Sequence, residues 1–369
     1  MRWLRFLHRY LGVAALAFLL ILALTGGALV FKQDIWRLQY PALRAAAQNP
    51  DPAQLAKAFA TIPQAVPGRV LLIRTPETGQ PAFHVYYEGG EALFEQDTLA
   101  LIDSWAWQET LSGILTQIHY RLAAGDAGKQ FVGALGLVAG FMACTGIFLW
   151  WPTRRQFKWR SLAPRDLRRG SLLKMHRDLG VISALLIVLF ALTGAGVVWG
   201  EPTRWLLNAL LGGSPASAPR PVLATDAPAQ APGRAAIERA QSIFPGARLA
   251  SWSPPAAGSR VHYFRFRQDG EAHPNGRSTV YMDAADRSVL SSSDALGAPR
   301  GEKVANWMYP LHAARVGGAG YRAAAVVAAI ALSLMCLSGA VSFARQYARK
   351  RQPPGRPRSD KSDHLITPQ

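Results

Sequence analysis

Four long apolar segments dominate the pattern of hydrophobic and polar positions along the chain. A helix that crosses the hydrocarbon core of a bilayer needs about 20 mostly apolar residues. Segments of that length run from Leu11 to Phe31, Phe131 to Trp151, Val181 to Gly200 and Ala323 to Phe343. The first resembles a signal peptide because arginines precede it, but it is too long and lacks a small-residue cleavage site. We therefore expect four retained transmembrane helices.

A shorter apolar stripe precedes the second and the fourth of these segments. The first stripe has helical spacing, carries His119, and consists of Leu111, Ile114, Leu115, Ile118 and Leu122. The second carries His312 and consists of Val304, Trp307, Met308 and Leu311. A glycine-bearing break follows each stripe. The pattern predicts two amphipathic helices at the membrane interface, each with one histidine pointing inward.

The two long connections between apolar segments each predict a small α+β module. In the first we expect a helix over 52–60 and strands at 70–74, 82–87 and 92–94. In the second we expect a helix over 235–243 and strands at 248–252, 261–267, 278–282 and 288–290. Residues 212–233 are rich in proline, alanine and serine, which is typical of a flexible linker. The polar tail from Lys350 is expected to be disordered.

The chain contains an internal duplication. Residues 7–31 align without a gap on residues 175–199 at a constant offset of 168, and ten of 25 positions match. The matches that apolar composition does not explain are His8/His176, Arg9/Arg177, Gly12/Gly180, Thr25/Thr193 and Gly26/Gly194. At an offset of 193, the second and fourth helices pair through His119/His312, Thr145/Ser338 and Gly146/Gly339.

The charge distribution orients the predicted helices. The chain carries 41 Lys+Arg against 23 Asp+Glu, a formal net charge of +18. Residues 1–10, 152–180 and 344–369 hold +15 of this excess. The positive-inside rule therefore places these three segments and both termini in the cytoplasm and both modules outside. Since topology explains the basic excess, we expect no nucleic-acid partner.

These patterns predict an α-helical membrane protein with four transmembrane helices from an internal duplication and two small α+β periplasmic modules. The expected segments alternate between membrane and aqueous parts. They are 1–31 (start and helix one), 32–110 (module one), 111–152 (interfacial helix and helix two), 153–175 (basic loop), 176–200 (helix three), 201–303 (linker and module two), 304–345 (interfacial helix and helix four) and 346–369 (tail).

Four histidines paired by the duplication are the candidate cofactor ligands. His8 and His176 share the cytoplasmic level, and His119 and His312 share the outer level about 30 Å away. Two facing imidazoles at each level, with glycine nearby, suit bis-histidine ligation of haem. Electrons would then cross between two haems, provided that the ligands lean inward or aromatic residues relay. Zinc or copper is the competing use of the pairs, although closed zinc sites prefer four N or S ligands.

Other residues near these levels have two interpretations each. The arginines expected to pair with haem propionates, or else to snorkel at the interface, are Arg9, Arg177, Arg121 and Arg315. Cys144 and Cys336 are expected to be small buried hydrophobic residues. The glycines at 133, 136 and 140 lie in an apolar span and indicate helix packing rather than a nucleotide loop.

These motifs resemble the PepSY-associated transmembrane family. The similarity rests on His-Arg-x-x-Gly and Leu-Thr-Gly in helices one and three, and on the Ile118-His119 and Leu311-His312 entries to helices two and four. It covers the chain to about residue 347 and is greatest to the bacterial inner-membrane ferric-siderophore reductases of the FoxB type. The resemblance implies two haem b groups as cofactors and an Fe(III)-siderophore as substrate.

The expected function is therefore reduction of an Fe(III)-siderophore in the periplasm. The chain ends shortly after helix four, so we expect a membrane quinol or a separate cytoplasmic reductase as electron donor. Aromatic residues that could contact the chelate are Trp105, Trp107, Tyr86, Tyr263, Trp307 and Tyr309. Two alternatives stay open: a membrane-anchored binding or regulatory protein with structural histidines, and a metal transporter with a histidine relay.

Overall fold

The protein combines a helical bundle with one antiparallel sheet. The computed structural model describes residues 1–213, 221, 223–225 and 230–351. The expected linker therefore lies largely outside the described residues, as does the tail beyond Arg351. Among the described residues, four helices are long and apolar enough to cross a membrane. They are α1 (Arg2–Leu29), α5 (Gly125–Trp150), α6 (Arg169–Val198) and α10 (Gly318–Arg351).

The remaining elements lie between these helices. The shorter helices are α2 (Lys32–Gln39), α3 (Pro52–Thr61), α4 (Leu111–Arg121), α7 (Gly200–Leu211), α8 (Arg234–Gln241) and α9 (Arg300–His312). The strands are β1 (Val70–Arg74), β2 (Ala82–Tyr87), β3 (Gly90–Glu95), β4 (Leu101–Ala106), β5 (Arg248–Ser253), β6 (Val261–Arg267), β7 (Ser278–Asp283) and β8 (Val289–Ser293). The expected fold class is confirmed, and α2, α7 and β4 are elements that the sequence pattern did not reveal.

The bundle is closed by contacts between neighbouring long helices. Helix α1 packs against α5 and α10, and α6 packs against the same two helices, so α1 and α6 lie on one diagonal. The glycines of α5 form part of this packing: a Cβ on Gly136 would lie 2.9 Å from the Ala191 carbonyl oxygen of α6. The amphipathic helix α4 packs on α1, and α9 packs on α6.

The two modules share one sheet. In the described residues it has eight strands in the order β4-β3-β2-β1-β5-β6-β7-β8. Strands β1 and β5 join the halves through the antiparallel pairs Ile73/Trp252 and Arg74/Ser251. Helices α3 and α8 cover one face together, and Phe59 of α3 packs on Trp252 of β5 with ring centroids 4.8 Å apart. The modules therefore have a common hydrophobic core.

Ion pairs connect the sheet to one end of the bundle. Glu77, just after β1, lies 3.2 Å from Arg315 before α10 and 3.5 Å from Arg248 of β5. Arg322 of α10 pairs with Asp34 of α2. We call this end, where α4 and α9 also lie, the sheet end. The opposite end, which carries His8, His176 and the arginine-rich segment 152–168, is the basic end.

Candidate functional site

Two histidines face each other at the sheet end of the bundle. His119 lies in the last turn of α4, and His312 is the last residue of α9. Their ring centroids are 5.9 Å apart and their planes are inclined by 33°. Two metal–nitrogen bonds of about 2 Å would bring the centroids of two imidazoles on opposite sides of a metal ion roughly 6 Å apart. The pair therefore has the spacing of a bis-imidazole site.

Helix α1 fixes the tautomer of His119. The Nδ1 atom lies 3.1 Å from the Leu22 carbonyl oxygen and 3.1 Å from Thr25 Oγ1. Thr25 donates its own proton to the Ile21 carbonyl at 2.7 Å, so its oxygen is left as an acceptor. Both neighbours accept, and Nδ1 must therefore carry the proton and donate it. The Nε2 atom keeps the lone pair that binds a metal.

Helix α6 fixes His312 in the same way. Its Nδ1 donates to the Phe190 carbonyl oxygen at 3.0 Å and lies 3.4 Å from Thr193 Oγ1. Thr193 in turn donates to the Leu189 carbonyl at 2.6 Å. A partner that orients the non-ligating nitrogen is typical of metal-binding histidines. The duplicated threonines therefore orient the two outer rings identically.

A glycine beside each threonine admits the ring. A Cβ on Gly26 would lie 2.7 Å from His119 Cε1, and a Cβ on Gly194 would lie 2.7 Å from His312 Cε1. Both distances are too short for a real contact, so any larger residue would displace the imidazole. The repeated Leu-Thr-Gly motif thus has a local purpose: threonine accepts a hydrogen bond from the histidine, and glycine lets its ring lie against the helix backbone.

The basic end repeats this arrangement with the helices exchanged. His8 of α1 donates from Nδ1 to Thr145 Oγ1 of α5 at 2.9 Å. His176 of α6 donates from Nδ1 to the Met335 carbonyl oxygen of α10 at 3.1 Å, and Ser338 Oγ lies 3.3 Å away. The two histidines lie at the same end of the diagonal helices α1 and α6. Within the described residues, no Nε2 atom of the four histidines has a hydrogen-bond partner.

The glycines at the basic end leave more room than those at the sheet end. A Cβ on Gly146 would lie 3.6 Å from His8 Cε1, and one on Gly339 would lie 3.9 Å from His176 Cε1. Both are ordinary van der Waals distances. The inner rings therefore touch these helices less closely than the outer rings touch α1 and α6.

Burial keeps the outer histidines neutral. Loss of hydration first, and the neighbouring His312 second, lower the pKa of His119 to about 4, against the hydrogen bond to Leu22. Loss of hydration also lowers the pKa of His312. The neutral imidazole is the form that binds a metal ion, so the site needs no deprotonation before ligation at neutral pH.

The two levels are separated by an apolar layer. Seventeen residues separate His8 from Thr25 along α1, which is about 26 Å of helix. The intervening core includes Leu19, Leu135, Ala139 and Cys336. Cys336 is buried as expected, whereas Cys144 is exposed on α5. In the described part of the chain, no group of three or more His, Cys, Asp or Glu residues is arranged to hold a metal ion.

The four candidate propionate partners have different environments. Arg177 binds the buried Asp178 carboxylate at 2.6 Å. Arg121 pairs with Asp126 at 3.1 Å, and Arg315 pairs with Glu77. Arg9 is exposed, stacks on Tyr10 at 4.8 Å and lies 3.5 Å from the Gln346 side-chain oxygen. Of the four, Arg9 alone has no carboxylate partner in the described structure.

The six aromatic candidates divide between a module core and two cavities. Trp105 is buried against Trp36 and Tyr40 in the first half of the sheet, and Trp107 Nε1 is also buried. Tyr309 and the exposed Trp307 line two neighbouring cavities at the sheet end. The others contact arginines of the first cavity: Tyr86 lies under Arg74 at 5.2 Å, and Tyr263 accepts a hydrogen bond from Arg265 at 3.0 Å.

The residues present at the sheet end fit a haem, because the spacing of the two rings matches that of a pair of imidazole ligands. The basic end offers the same donor set, two imidazoles whose Nδ1 atoms are hydrogen-bonded and whose Nε2 atoms have no partner in the described residues. Sequence reasoning identified the duplicated threonine and serine positions but not their role as acceptors for Nδ1. The repeat was the available signal, since Thr25 recurs as Thr193 at an offset of 168 and His119 recurs as His312 at an offset of 193.

The sequence was compared with models of protein families and with curated proteins. The model of the PepSY-associated TM region matches residues 5–346, which is nearly the whole chain. No curated protein matches the chain.

Proposed function

The chain belongs to the PepSY-associated TM region family, and on that premise we propose that it is a transmembrane di-haem electron-transfer protein that reduces an Fe(III)-siderophore. The observation that carries the proposal is the hydrogen bonding and placement of the four histidine rings. Every Nδ1 is held by a hydrogen bond, every Nε2 is free within the described residues, and the rings of His119 and His312 face each other with centroids 5.9 Å apart.

Each group around these pairs has a part in the proposed function. His119 with His312, and His8 with His176, would hold one haem b each through Nε2. Haem b supplies a one-electron carrier when two imidazoles hold its iron. The threonine and serine hydroxyls orient the rings, and the apolar layer between the levels excludes water and ions from the path.

The substrate would react at the sheet end. An Fe(III) chelate that docks there gains one electron and becomes Fe(II), which hard oxygen donors bind less strongly. The electron would enter at the basic end from a membrane quinol or a separate cytoplasmic reductase. The positive-inside rule supports this direction, because the arginine-rich segments then face the cytoplasm of a bacterial inner membrane and the sheet faces the periplasm.

Anaerobic spectroscopy of the detergent-purified protein tests the proposal. We expect a Soret band that shifts on reduction with dithionite and returns when a ferric siderophore, tested in a trihydroxamate and in a carboxylate form, is added, while a ferrous-specific dye captures Fe(II). The matched control is the gallium(III) form of the same chelate, which has the same shape and charge but accepts no electron. A protein without a reducible Soret band, or one that gallium reoxidises equally, would refute the proposed activity.

A further inference from the structure

A cavity of about 280 Å³ lies between the sheet and the bundle at the sheet end. Its walls come from four parts of the chain that are far apart in sequence. Arg74 comes from β1, Arg265 and Arg277 come from the β6–β7 hairpin, and Arg204 comes from α7. Tyr309 of α9 lines the same space. Neither periodicity nor a motif links these positions, so only the folded chain brings them together.

The lining of this cavity carries a net positive charge. Four arginines line it, and none of its lining residues is a carboxylate. Arg204 has an ion pair with Glu302 on α9. In the part of the chain that the structure describes, Arg74, Arg265 and Arg277 lie within ion-pair distance of no carboxylate. Partly buried guanidinium groups without counter-charges are costly, and a bound anion would offset that cost.

Hydrogen-bond donors in the cavity also exceed the acceptors. The Nε atom of Arg277 is buried without a partner. Its NH2 group lies 2.9 Å from His273 Nε2, while the Asn275 backbone N–H donates to His273 Nδ1 at 3.2 Å. A neutral imidazole has one lone-pair nitrogen and cannot accept both bonds. At least one of these donors therefore has no acceptor within the described residues.

The pKa values of His273 and Arg277 also reflect the excess of positive charge in the cavity. Burial first, and then the charges of Arg277, Arg265, Arg74 and Arg204, lower the pKa of His273 to about 2. Burial and the charges of Arg265 and Arg204 likewise lower the pKa of Arg277 to about 10. Arg74 differs: burial acts against its charge, but Tyr86, Tyr309, Glu77 and Glu91 outweigh burial and raise its pKa.

We propose that this cavity, the arginine pocket, binds carboxylate groups. The planar guanidinium fork matches a carboxylate in two parallel hydrogen bonds, which a lysine ammonium cannot reproduce. The volume is just below the usual range for small-molecule sites, about 300 to 1,000 Å³, so the ligand is small. A dissolved polycarboxylate and the propionates of a haem held between the outer histidines share this chemistry.

The pocket lies beside the outer histidine pair. Met308 lines the pocket and precedes His312 by one helical turn on α9, which places both side chains on one face of the helix. Gly196 of α6 also lines it, and a Cβ there would lie 3.2 Å from the Met308 sulfur. If the proposed function holds, on which this extension rests, the pocket selects small carboxylate-bearing ferric chelates and brings them close to the electron donor.

Two measurements on the full-length purified protein distinguish the sources of the carboxylate. The first is calorimetric titration with metal-free citrate, and the second is the haem-to-protein ratio from the pyridine haemochrome spectrum. Both are applied to Arg277→Gln, Arg277→Lys and Arg265→Gln. The matched control is Arg267→Gln, because Arg267 lies two residues from Arg265 on the same strand but is exposed and outside the pocket. Arg277→Lys keeps the positive charge but lacks the guanidinium fork, so a loss of binding in this variant reports the fork geometry rather than the removal of a charge from the fold.

If the ligand is dissolved, citrate binds the wild type and the control, and the pocket variants bind about 10- to 100-fold more weakly with unchanged haem content. If haem propionates fill the pocket, the wild type binds no citrate and the pocket variants lose haem while the control retains it. Either result supports the proposal. Equal citrate binding and equal haem content in pocket variants and control would overturn it. A preparation without haem would refute the proposed function. The arginine pocket would then still be tested by comparing citrate binding in the pocket variants and the control.

Discussion

The most informative perturbation is a single methyl group at Gly194. A Cβ there would lie 2.7 Å from His312 Cε1, whereas ordinary van der Waals contact begins at 3.4 Å. The imidazole must therefore move by about 0.7 Å or the helices must separate. The Nδ1 hydrogen bond to the Phe190 carbonyl is 3.0 Å long, so a displacement of that size away from α6 would break it.

The expected effect of Gly194→Ala has two components. Overpacking of this kind costs about 1 to 3 kcal/mol of stability. Loss of the group that orients a metal-binding histidine typically weakens metal affinity by about 10- to 100-fold. We therefore expect Gly194→Ala to lose the outer haem and keep the inner one, which would halve the haem-to-protein ratio.

The assay compares three alanine variants by haem content and by melting temperature. Gly26→Ala should match Gly194→Ala, because its Cβ would lie 2.7 Å from the equivalent atom of His119. Gly140→Ala is the matched control in a membrane helix, since its Cβ would meet Leu192 at 3.5 Å. The reasoning is refuted if all three variants keep full haem content, or if Gly140→Ala loses as much as the other two.

Three further outcomes follow from individual contacts. Thr145→Val should lower haem content more than Thr193→Val, because Thr145 is the sole acceptor for its histidine in the described structure, and a buried unpaired N–H costs about 1 to 3 kcal/mol. Burial lowers the pKa of His262 to about 4, so the unfolded chain binds a proton that the folded chain excludes, and stability falls as pH drops from about 6.5 toward 4. His262→Gln should reduce the difference in unfolding free energy between pH 7.5 and pH 5 by about 2 kcal/mol, measured from melting curves at the two pH values. Glu77→Gln removes the carboxylate that pairs with Arg315 and should destabilise the junction of sheet and bundle by about 1 kcal/mol, measured as faster amide exchange there; unchanged exchange would count against that role.

The sequence predicted the elements better than their association. Helical periodicity identified α4 and α9 with their histidines, and alternation identified most strands within a residue or two. It did not predict that β1 pairs with β5, because the residues in that contact are about 175 positions apart in the chain. Each module also has its own predicted helix and strands, so nothing in the pattern indicated a shared sheet. The pattern did not predict strand β4, because the polar residues Asp103 and Ser104 interrupt its apolar positions. In the structure, Asp103 accepts a hydrogen bond from Tyr40 at 2.6 Å.

The candidate site was predictable to the extent that the duplication repeats it. Because His119 recurs as His312 at an offset of 193 and His8 recurs as His176 at an offset of 168, the pairing of the histidines could be inferred without coordinates. The arginine pocket could not, since its guanidinium groups come from unrelated segments that converge only when the sheet docks on the bundle. Repetition along a chain preserves information about pairs, whereas a cavity between layers depends on tertiary contacts.

The most direct test of the account is haem content in histidine variants of the two levels. His119→Ala, His312→Ala and the double variant should each lose the same single haem and keep the other, while His8→Ala loses the remaining one. Absorption spectra before and after dithionite report both. An additive loss in the double variant, loss of both haems or neither in a single variant, or a wild type without a reducible Soret band would contradict the pairing of histidines by level.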